Sequence, residues 1–258
     1  MGWISVLVVA AVAITLIALL VLRRKGREGE DHGSASVDFA ANLALAVYLL
    51  VLAYAVVLCR DAISTSQTDV QAETETLSEM YWSVAPIPEG GPLRARIRDY
   101  SAKSVSLDWP LMAHGRLSPV PTKVLEDMRA EVIRLKPADD ASKALQQDAV
   151  SHVSELAHAR SVRADDANTG LESIFVISMI ISGLLVVVLP WTVGTRPTGA
   201  SVVGDLVRVS VVVIGVGFIM LIGHPFNGPG AVGPDDFVAV QKQYDQIDAR
   251  FPLRFPAG

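Results

Sequence analysis

The chain has 258 residues, of which 51% are hydrophobic and 19% are charged, and its net charge is −5. This composition is too apolar for an ordinary soluble domain, and the negative charge gives no reason to expect a nucleic-acid partner. The single cysteine, Cys59, has no second cysteine to pair with, which excludes an internal disulfide scaffold.

Four long apolar stretches lie two near each end of the chain. They cover about 3–22, 39–59, 173–195 and 206–223, and only the last contains a charged residue, Arg208, which can extend toward the surface. A helix needs about 20 apolar residues to cross a bilayer, and a charge at its centre costs roughly 2.5–3.5 kcal/mol. The sequence therefore predicts an integral membrane protein with four transmembrane helices.

The first stretch is followed, not preceded, by cations, so it does not have the pattern of a cleaved signal peptide. Cations near the ends of spans prefer the cytoplasmic side. Six lie in or beside the two short connections, and three lie near the ends of the long middle segment, 60–171. This count predicts that the middle segment is extracytoplasmic. The counted residues are Arg23, Arg24, Lys25, Arg27, Arg196 and Arg208 against Arg60, Arg160 and Arg163.

The middle segment begins with a helical pattern that continues the second span. Between Cys59 and Val84 there is no glycine or proline, and apolar residues recur with a heptad spacing. We expect one long helix that leaves the membrane and ends in the break at 86–92, which is rich in proline and glycine. The stripe consists of Ile63, Val70, Leu77 and Val84.

Three more helices are predicted before the third span. One begins near Pro92 and is kinked or ended by Pro110, one covers 122–135 with Thr122 as its N-cap, and one covers 140–166. The first of these has a predicted buried face formed by Leu93, Ile97, Tyr100, Ser104 and Leu107. No alternating β pattern persists, so the segment is predicted to be all-α. Its stripes can bury in an intramolecular bundle or against another subunit.

The C-terminal residues, 224–258, contain a turn and one amphipathic helix. The turn begins at His224 and is rich in proline and glycine. The helix is predicted for 234–250, with Phe237, Val240, Tyr244 and Ile247 on one face. We expect His224 to be a polar anchor at the membrane interface, or alternatively a group at a pore mouth that responds to pH.

A search for catalytic patterns indicates no enzyme, no metal and no cofactor. There is no Gly-x-Ser-x-Gly, no phosphate-binding glycine loop and no His-Glu-x-x-His. The spacing of His152 and His158 puts them on different faces of one helix. The acidic pairs Asp139/Asp140 and Asp165/Asp166 lie at helix ends, where capping and solvation explain them.

Small and polar residues in the spans predict close helix packing or a pore lining. The predicted spans contain no acid or base at their centres, which disfavours a proton pump. Glycines let helices approach closely, and an amide in an apolar helix needs a polar partner. The candidates are Asn42 in the second span and Gly215 and Gly217 in the fourth.

Two short motifs resemble those of a bacterial family of membrane proteins with a bestrophin-like domain. The first, in the middle segment, consists of Asp108, Trp109, Pro110, Leu111 and Met112, followed by Gly115, Arg116, Ser118 and Pro119. The second, after the last span, consists of Pro225, Phe226 and Gly228, followed by 234–237. The chain has His224 where that family usually has a basic residue. In the second span it has only Asn42 where the family commonly has His-Asn.

The resemblance implies a relation to bestrophins, which are oligomeric anion channels with a cytoplasmic helical region. That location opposes the orientation predicted by the charges. Two functions therefore stay open: a homo-oligomeric channel in the cell membrane, or a non-conducting scaffold, sensor or subunit that binds a membrane protein partner. Both place the chain in a lipid bilayer.

Overall fold

A computed structural model of the protein describes residues 34–171, 173–192 and 199–252. These residues form eight α-helices and no β-strand, as the all-α prediction requires. The predicted span 3–22 and the cations of the first connection lie outside the described residues. The helices are α1 (Ser34–Val84), α2 (Gly91–Lys103), α3 (Trp109–Met112), α4 (Pro119–Arg134), α5 (Asp140–Asn168), α6 (Ser173–Thr192), α7 (Gly199–Ile222) and α8 (Asp235–Arg250).

The chain divides into two compact units. The first unit comprises 1–60 and 171–223, and the second comprises 61–170 and 224–258. The boundary falls inside α1, which is one continuous helix as predicted. The helix can continue without a break because the stretch from Ser34 to Val84 contains no glycine and no proline.

Two helices among the described residues are long and apolar enough to cross a membrane. They contain the stretches Phe39–Val84 and Val202–Ile222. The apolar part of α6, Ile174–Leu189, is shorter. The helix α6 ends at Thr192, two residues after Pro190. The prediction of four spans therefore stays a prediction for the stretch 3–22 and for α6.

Inside the first unit, α1, α6 and α7 pack around Tyr48. The Tyr48 hydroxyl donates a hydrogen bond to the Val212 carbonyl of α7 at 2.9 Å, and the side chain is fully buried. A Cβ atom placed on Gly183 of α6 would lie 2.9 Å from Val212 Cγ1 and 3.4 Å from the Tyr48 ring, so the glycine makes room for Val212 of α7 beside the tyrosine. The outer faces of the three helices carry exposed apolar side chains, among them Leu50, Ile174 and Ile214.

The second unit is a helical bundle with its own core. The apolar stripe of α1 is buried there, with Val70, Leu77 and Val84 at 0% exposure and Ile63 packed at its margin. The stripe thus belongs to one core cluster with residues of α2, α4, α5 and α8 of the same chain. This is the intramolecular alternative of the two that the sequence allows, and it leaves the stripe unavailable to a second subunit.

Two predictions in this unit are wrong. The cap of α4 is Ser118, whose Oγ accepts a hydrogen bond from the Val120 amide at 3.2 Å, and not Thr122. Leu107 is exposed and Asp108 is fully buried. A π-helical turn at Ser104–Asp108 causes this difference, because one extra residue per turn moves the helical register away from the regular spacing.

Candidate functional site

The core of the second unit contains a network of buried charges, Glu73, Asp108, Arg160 and Arg163, which we term the buried ionic network. Arg163 donates from Nε to Glu73 Oε2 at 2.6 Å and from Nη2 to Glu73 Oε1 at 3.0 Å. The same Nη2 lies 3.3 Å from Asp108 Oδ2, which also accepts from Arg160 Nη1 at 2.6 Å. Two cations thus balance two anions where water is excluded.

Further hydrogen bonds satisfy the remaining polar atoms of the network. Asp108 Oδ1 accepts from the Ser118 amide at 2.8 Å, and Arg160 donates to the Ser118 carbonyl at 2.9 Å. Tyr100 donates to Glu73 Oε1 at 2.6 Å. Burial raises the pKa of Tyr100, and the Glu73 carboxylate raises it further, so the phenol stays a proton donor. Burial lowers the pKa of Arg163, but Glu73, Tyr100 and Asp108 together outweigh burial, and the pKa is raised.

Helical spacing explains how the sequence builds this network. Arg160 and Arg163 continue the buried face of α5 that begins with Ala149, Val153 and Leu156. The sequence predicted both arginines as cations near the end of the middle segment, whereas both are core residues. The available signal was their position on the same face as the apolar stripe, at spacings of four and three residues.

The two family-like motifs meet in the structure. The Trp109 ring packs edge-to-face on Phe226 with 6.4 Å between centroids, and its Nε1 donates to the Val232 carbonyl at 3.2 Å. Met112 Sδ accepts from Arg163 Nη1 at 3.3 Å. Two residues of the first motif, Trp109 and Met112, therefore contact Arg163 of the buried ionic network, and the Arg163 guanidinium lies 5.3 Å from the centre of the Trp109 ring.

The remaining motif residues shape the backbone. Pro110 lies in the first turn of α3, and the Leu111 carbonyl accepts from the Arg116 amide at 3.2 Å, while the Arg116 side chain is exposed. Gly115 and Gly228 have φ of 72° and 97°, a conformation that favours glycine. The Pro225 carbonyl accepts from the Val232 amide at 2.8 Å. These residues close turns.

His224 has a partner on each ring nitrogen. Its Nε2 lies 2.9 Å from the Ala167 carbonyl, and its Nδ1 accepts from the Phe226 amide at 3.2 Å. Because a carbonyl only accepts, Nε2 carries the proton in this arrangement. The side chain therefore joins the end of α5 to the turn that carries Phe226.

The three pore or packing candidates of the first unit have different surroundings. A Cβ atom on Gly215 would collide with the Tyr48 hydroxyl and lie 2.9 Å from Leu52, so this glycine serves packing within the chain. A Cβ on Gly217 would meet nothing within 4 Å. Asn42 is exposed, and its Oδ1 accepts from Arg208 Nη2 at 2.9 Å.

The contact between Asn42 and Arg208 lies toward the N-terminal end of α7 and not at the centre of the predicted span. The helix α7 begins at Gly199, earlier than the predicted 206, and its apolar stretch contains both Asp205 and Arg208. Arg208 Nη1 lies 3.3 Å from Asp205 Oδ1, and the two side chains are 17% and 11% exposed. A polar cluster, Asn42, Asp205 and Arg208, thus joins α1 to α7.

A second set of charges fastens α8 to the bundle and was not predicted. Asp248 accepts from Arg94 at 2.9 Å, from Arg98 at 2.8 Å and from Tyr81 at 2.8 Å. Burial raises the pKa of Asp248, but the hydrogen bonds from Tyr81 and the arginines outweigh this and hold it below its usual value. Burial raises the pKa of Tyr81 to about 12.

The acidic pairs have different roles. Asp139 caps α5, since its Oδ1 accepts from the Ser142 amide at 2.8 Å. Asp166 is not a solvated end residue, because its Oδ2 is buried without a hydrogen-bond partner. His152 faces Glu155 at 3.3 Å. Among the described residues, no group of three or more histidine, cysteine or acidic side chains is arranged to hold a metal.

Comparison with known proteins identifies one family. The family model described as the bestrophin-like domain matches residues 5–237, which is most of the chain and includes both motifs. No curated protein and no solved structure matches the chain.

Proposed function

Because the chain belongs to the bestrophin-like family, we propose that it is a multi-pass membrane protein whose copies assemble into a ring and let ions pass through a shared pore. Family membership and the two long apolar helices indicate a membrane protein. The ring, the pore and the extracytoplasmic location of the second unit are parts of the proposal. The proposed role is permeation and not catalysis.

The polar cluster of the first unit is the observation that favours a pore. Asn42 is exposed between apolar side chains, and Leu43 beside it is 56% exposed. Polar groups that face lipid are costly, and ionisable residues in spans usually face a bundle interior or a water-filled cavity. A ring of copies would place Asn42 and Arg208 on such a cavity, where side chains can line a path for ions.

Gly217 supports a contact between copies. It is exposed on α7, and nothing lies within 4 Å of the position of its missing Cβ. The other candidate glycine, Gly215, is already used inside the chain. An exposed glycine in an apolar helix lets a second helix approach closely, so Gly217 marks the face of α7 on which a neighbouring copy would pack.

The test measures two properties of the full chain, the mass of its oligomer and its ion flux. The full chain is purified into nanodiscs for native mass spectrometry and into liposomes for flux. We expect a uniform ring of several copies, and we expect Asn42→Leu to change flux while Leu43→Ala at the neighbouring exposed position does not. A monomer or dimer, or equal flux for Asn42→Leu and the unaltered chain, would contradict the pore.

A second candidate function, a scaffold or partner-binding subunit, is favoured by one apolar side chain on the second unit. Ile133 of α4 is 64% exposed, although the same helix buries Leu125 and Met128 in the core. Deletion of 122–135 would remove that core, so Ile133→Asp is the sharper test. Loss of a co-purifying protein with Ile133→Asp, and not with Lys123→Asp on the same helix, would support this role.

A further inference from the structure

One buried carboxylate oxygen in the second unit has no hydrogen-bond donor. Oδ2 of Asp166, in the last turns of α5, is inaccessible to solvent and unpartnered. Two side chains of α1, Ser66 and Asp69, lie within hydrogen-bonding reach of this carboxyl group. Ser66 is buried at 2% exposure. A buried acceptor without a donor is costly, and a second carboxylate beside it increases the cost.

The charges around Asp166 do not relieve this repulsion. On α5, Asp165 is a further acid that acts on it, while Arg163 is engaged by Glu73 and Asp108. From the turn after α7, His224 contacts the Ala167 carbonyl. The arginine nearest in sequence is therefore committed to other acids, and the acids that act on Asp166 are Asp69 and Asp165.

We propose that Asp166 takes up a proton and shares it with Asp69, and that this shared proton fastens the C-terminal turn of α5 to α1. The proton provides the missing donor, because a protonated carboxyl group carries one O–H and the facing carboxylate accepts it. Burial and then the Asp69 carboxylate raise the pKa of Asp166, whereas the Ser66 hydroxyl lowers it.

The proposal makes the end of α5 sensitive to pH. Because the pKa of Asp166 is raised on folding, its stabilising contribution is complete below the usual aspartate pKa and is lost as the pH rises through the raised value. The joint at 169–171 follows directly, and the Thr169 amide donates to the Asp166 carbonyl at 3.2 Å. Acidification would tighten this turn, and neutral pH would loosen it.

The test compares thermal unfolding of the full chain in nanodiscs at neutral and mildly acidic pH. Asp166→Asn keeps a donor at the same place without a charge, so we expect it to raise Tm at neutral pH by about 2–4 °C. We expect this difference to disappear in mildly acidic buffer. Asp69→Asn should behave in the same way, since it also removes the repulsion. Asp148→Asn, at an exposed position of the same helix far from Asp166, is the control and should show no such pH-dependent gain.

Two results would overturn the shared proton. Asp166→Asn could be less stable than the unaltered chain at both pH values, which would mean that the ionised carboxylate is needed. Alternatively, calcium or magnesium could stabilise the unaltered chain at neutral pH and not Asp166→Asn, which would mean that a cation and not a proton separates the two acids.

Discussion

Arg163 of α5 and Glu73 of α1 face each other through two parallel hydrogen bonds, of 2.6 and 3.0 Å, and neither side chain is exposed to solvent. The guanidinium group is planar and always charged, so a pairing through two hydrogen bonds constrains the position of α5 relative to the face of α1 that carries Glu73. The two residues are 90 positions apart in the sequence, and their pairing joins α1 to α5.

Removing one partner of this pair should be strongly destabilising. Glu73→Gln leaves Arg163 with one buried anion fewer, and breaking a buried pair in this way costs about 3–5 kcal/mol. The measurement is the free energy of unfolding of the full chain by denaturant titration. The exposed pair Lys143 and Asp140 is the control, and Lys143→Ala should leave stability unchanged. An effect of Glu73→Gln as small as that of the control would contradict a role in stability.

The two glycines of α7 should respond differently to the same substitution. Gly215→Ala forces the added methyl group against the Tyr48 hydroxyl, and overpacking of this kind costs about 1–3 kcal/mol. Gly217→Ala meets nothing within 4 Å and should leave the fold unchanged. Thermal unfolding in detergent distinguishes them. If Gly217→Ala lowered the stability of the monomer as much as Gly215→Ala, the space around Gly217 would not be open, and this prediction would be wrong.

The contact between the two motifs should be measurable as a coupling energy. Trp109→Leu and Phe226→Leu each remove one ring from the edge-to-face pair. Such pairs contribute about 0.5–1.5 kcal/mol beyond their burial. A double-mutant cycle on unfolding free energy should therefore give a coupling in this range. As a control, Trp82 is paired with Phe251 and not with Phe226, so Trp82→Leu with Phe226→Leu should be additive.

Acid should weaken the attachment of α8 through Asp248. Its pKa is held below the usual value, so its contribution is complete above the ordinary aspartate pKa and is lost as the pH falls through the lowered one. Hydrogen exchange of the α8 amides at decreasing pH should show this loss. Asp248→Asn should already exchange faster at neutral pH. Asp245→Asn, which loses only an ion pair with Arg98 at a 73% exposed carboxylate, should change exchange much less. Equal protection in both variants would argue against the anchoring role.

The sequence predicts most of the helices and few of the polar contacts. The continuous helix α1 and its break at 86–92 follow from apolar spacing and from proline and glycine, which are local signals. The partners of Arg160 and Arg163 depend on tertiary packing, which no local pattern contains. Both arginines were counted as free cations in the prediction of orientation, although each is paired with a buried acid.

In the candidate site, too, the sequence predicts individual residues but not their tertiary partners. The sequence identified Asn42 as a polar residue that needs a partner, but Arg208 could not be assigned to it, because the two lie 166 residues apart. Similarly, the motifs around Trp109 and Phe226 were found separately, and only the fold brings their rings together. The sequence shows that a polar side chain in an apolar helix requires a hydrogen-bond partner. Which residue becomes that partner depends on the tertiary fold.

The π-helical turn at Ser104–Asp108 also constrains how the length of this chain can vary. Surface loops commonly lose or gain a residue without harm. Removing one residue here would restore regular helical winding and rotate Asp108 by about 100° relative to α2, as the helical repeat requires. The acid would leave Arg160, and Leu107 or its replacement would turn toward the charges. Related chains that keep the network should therefore keep this segment at the same length, even where its exposed residues differ.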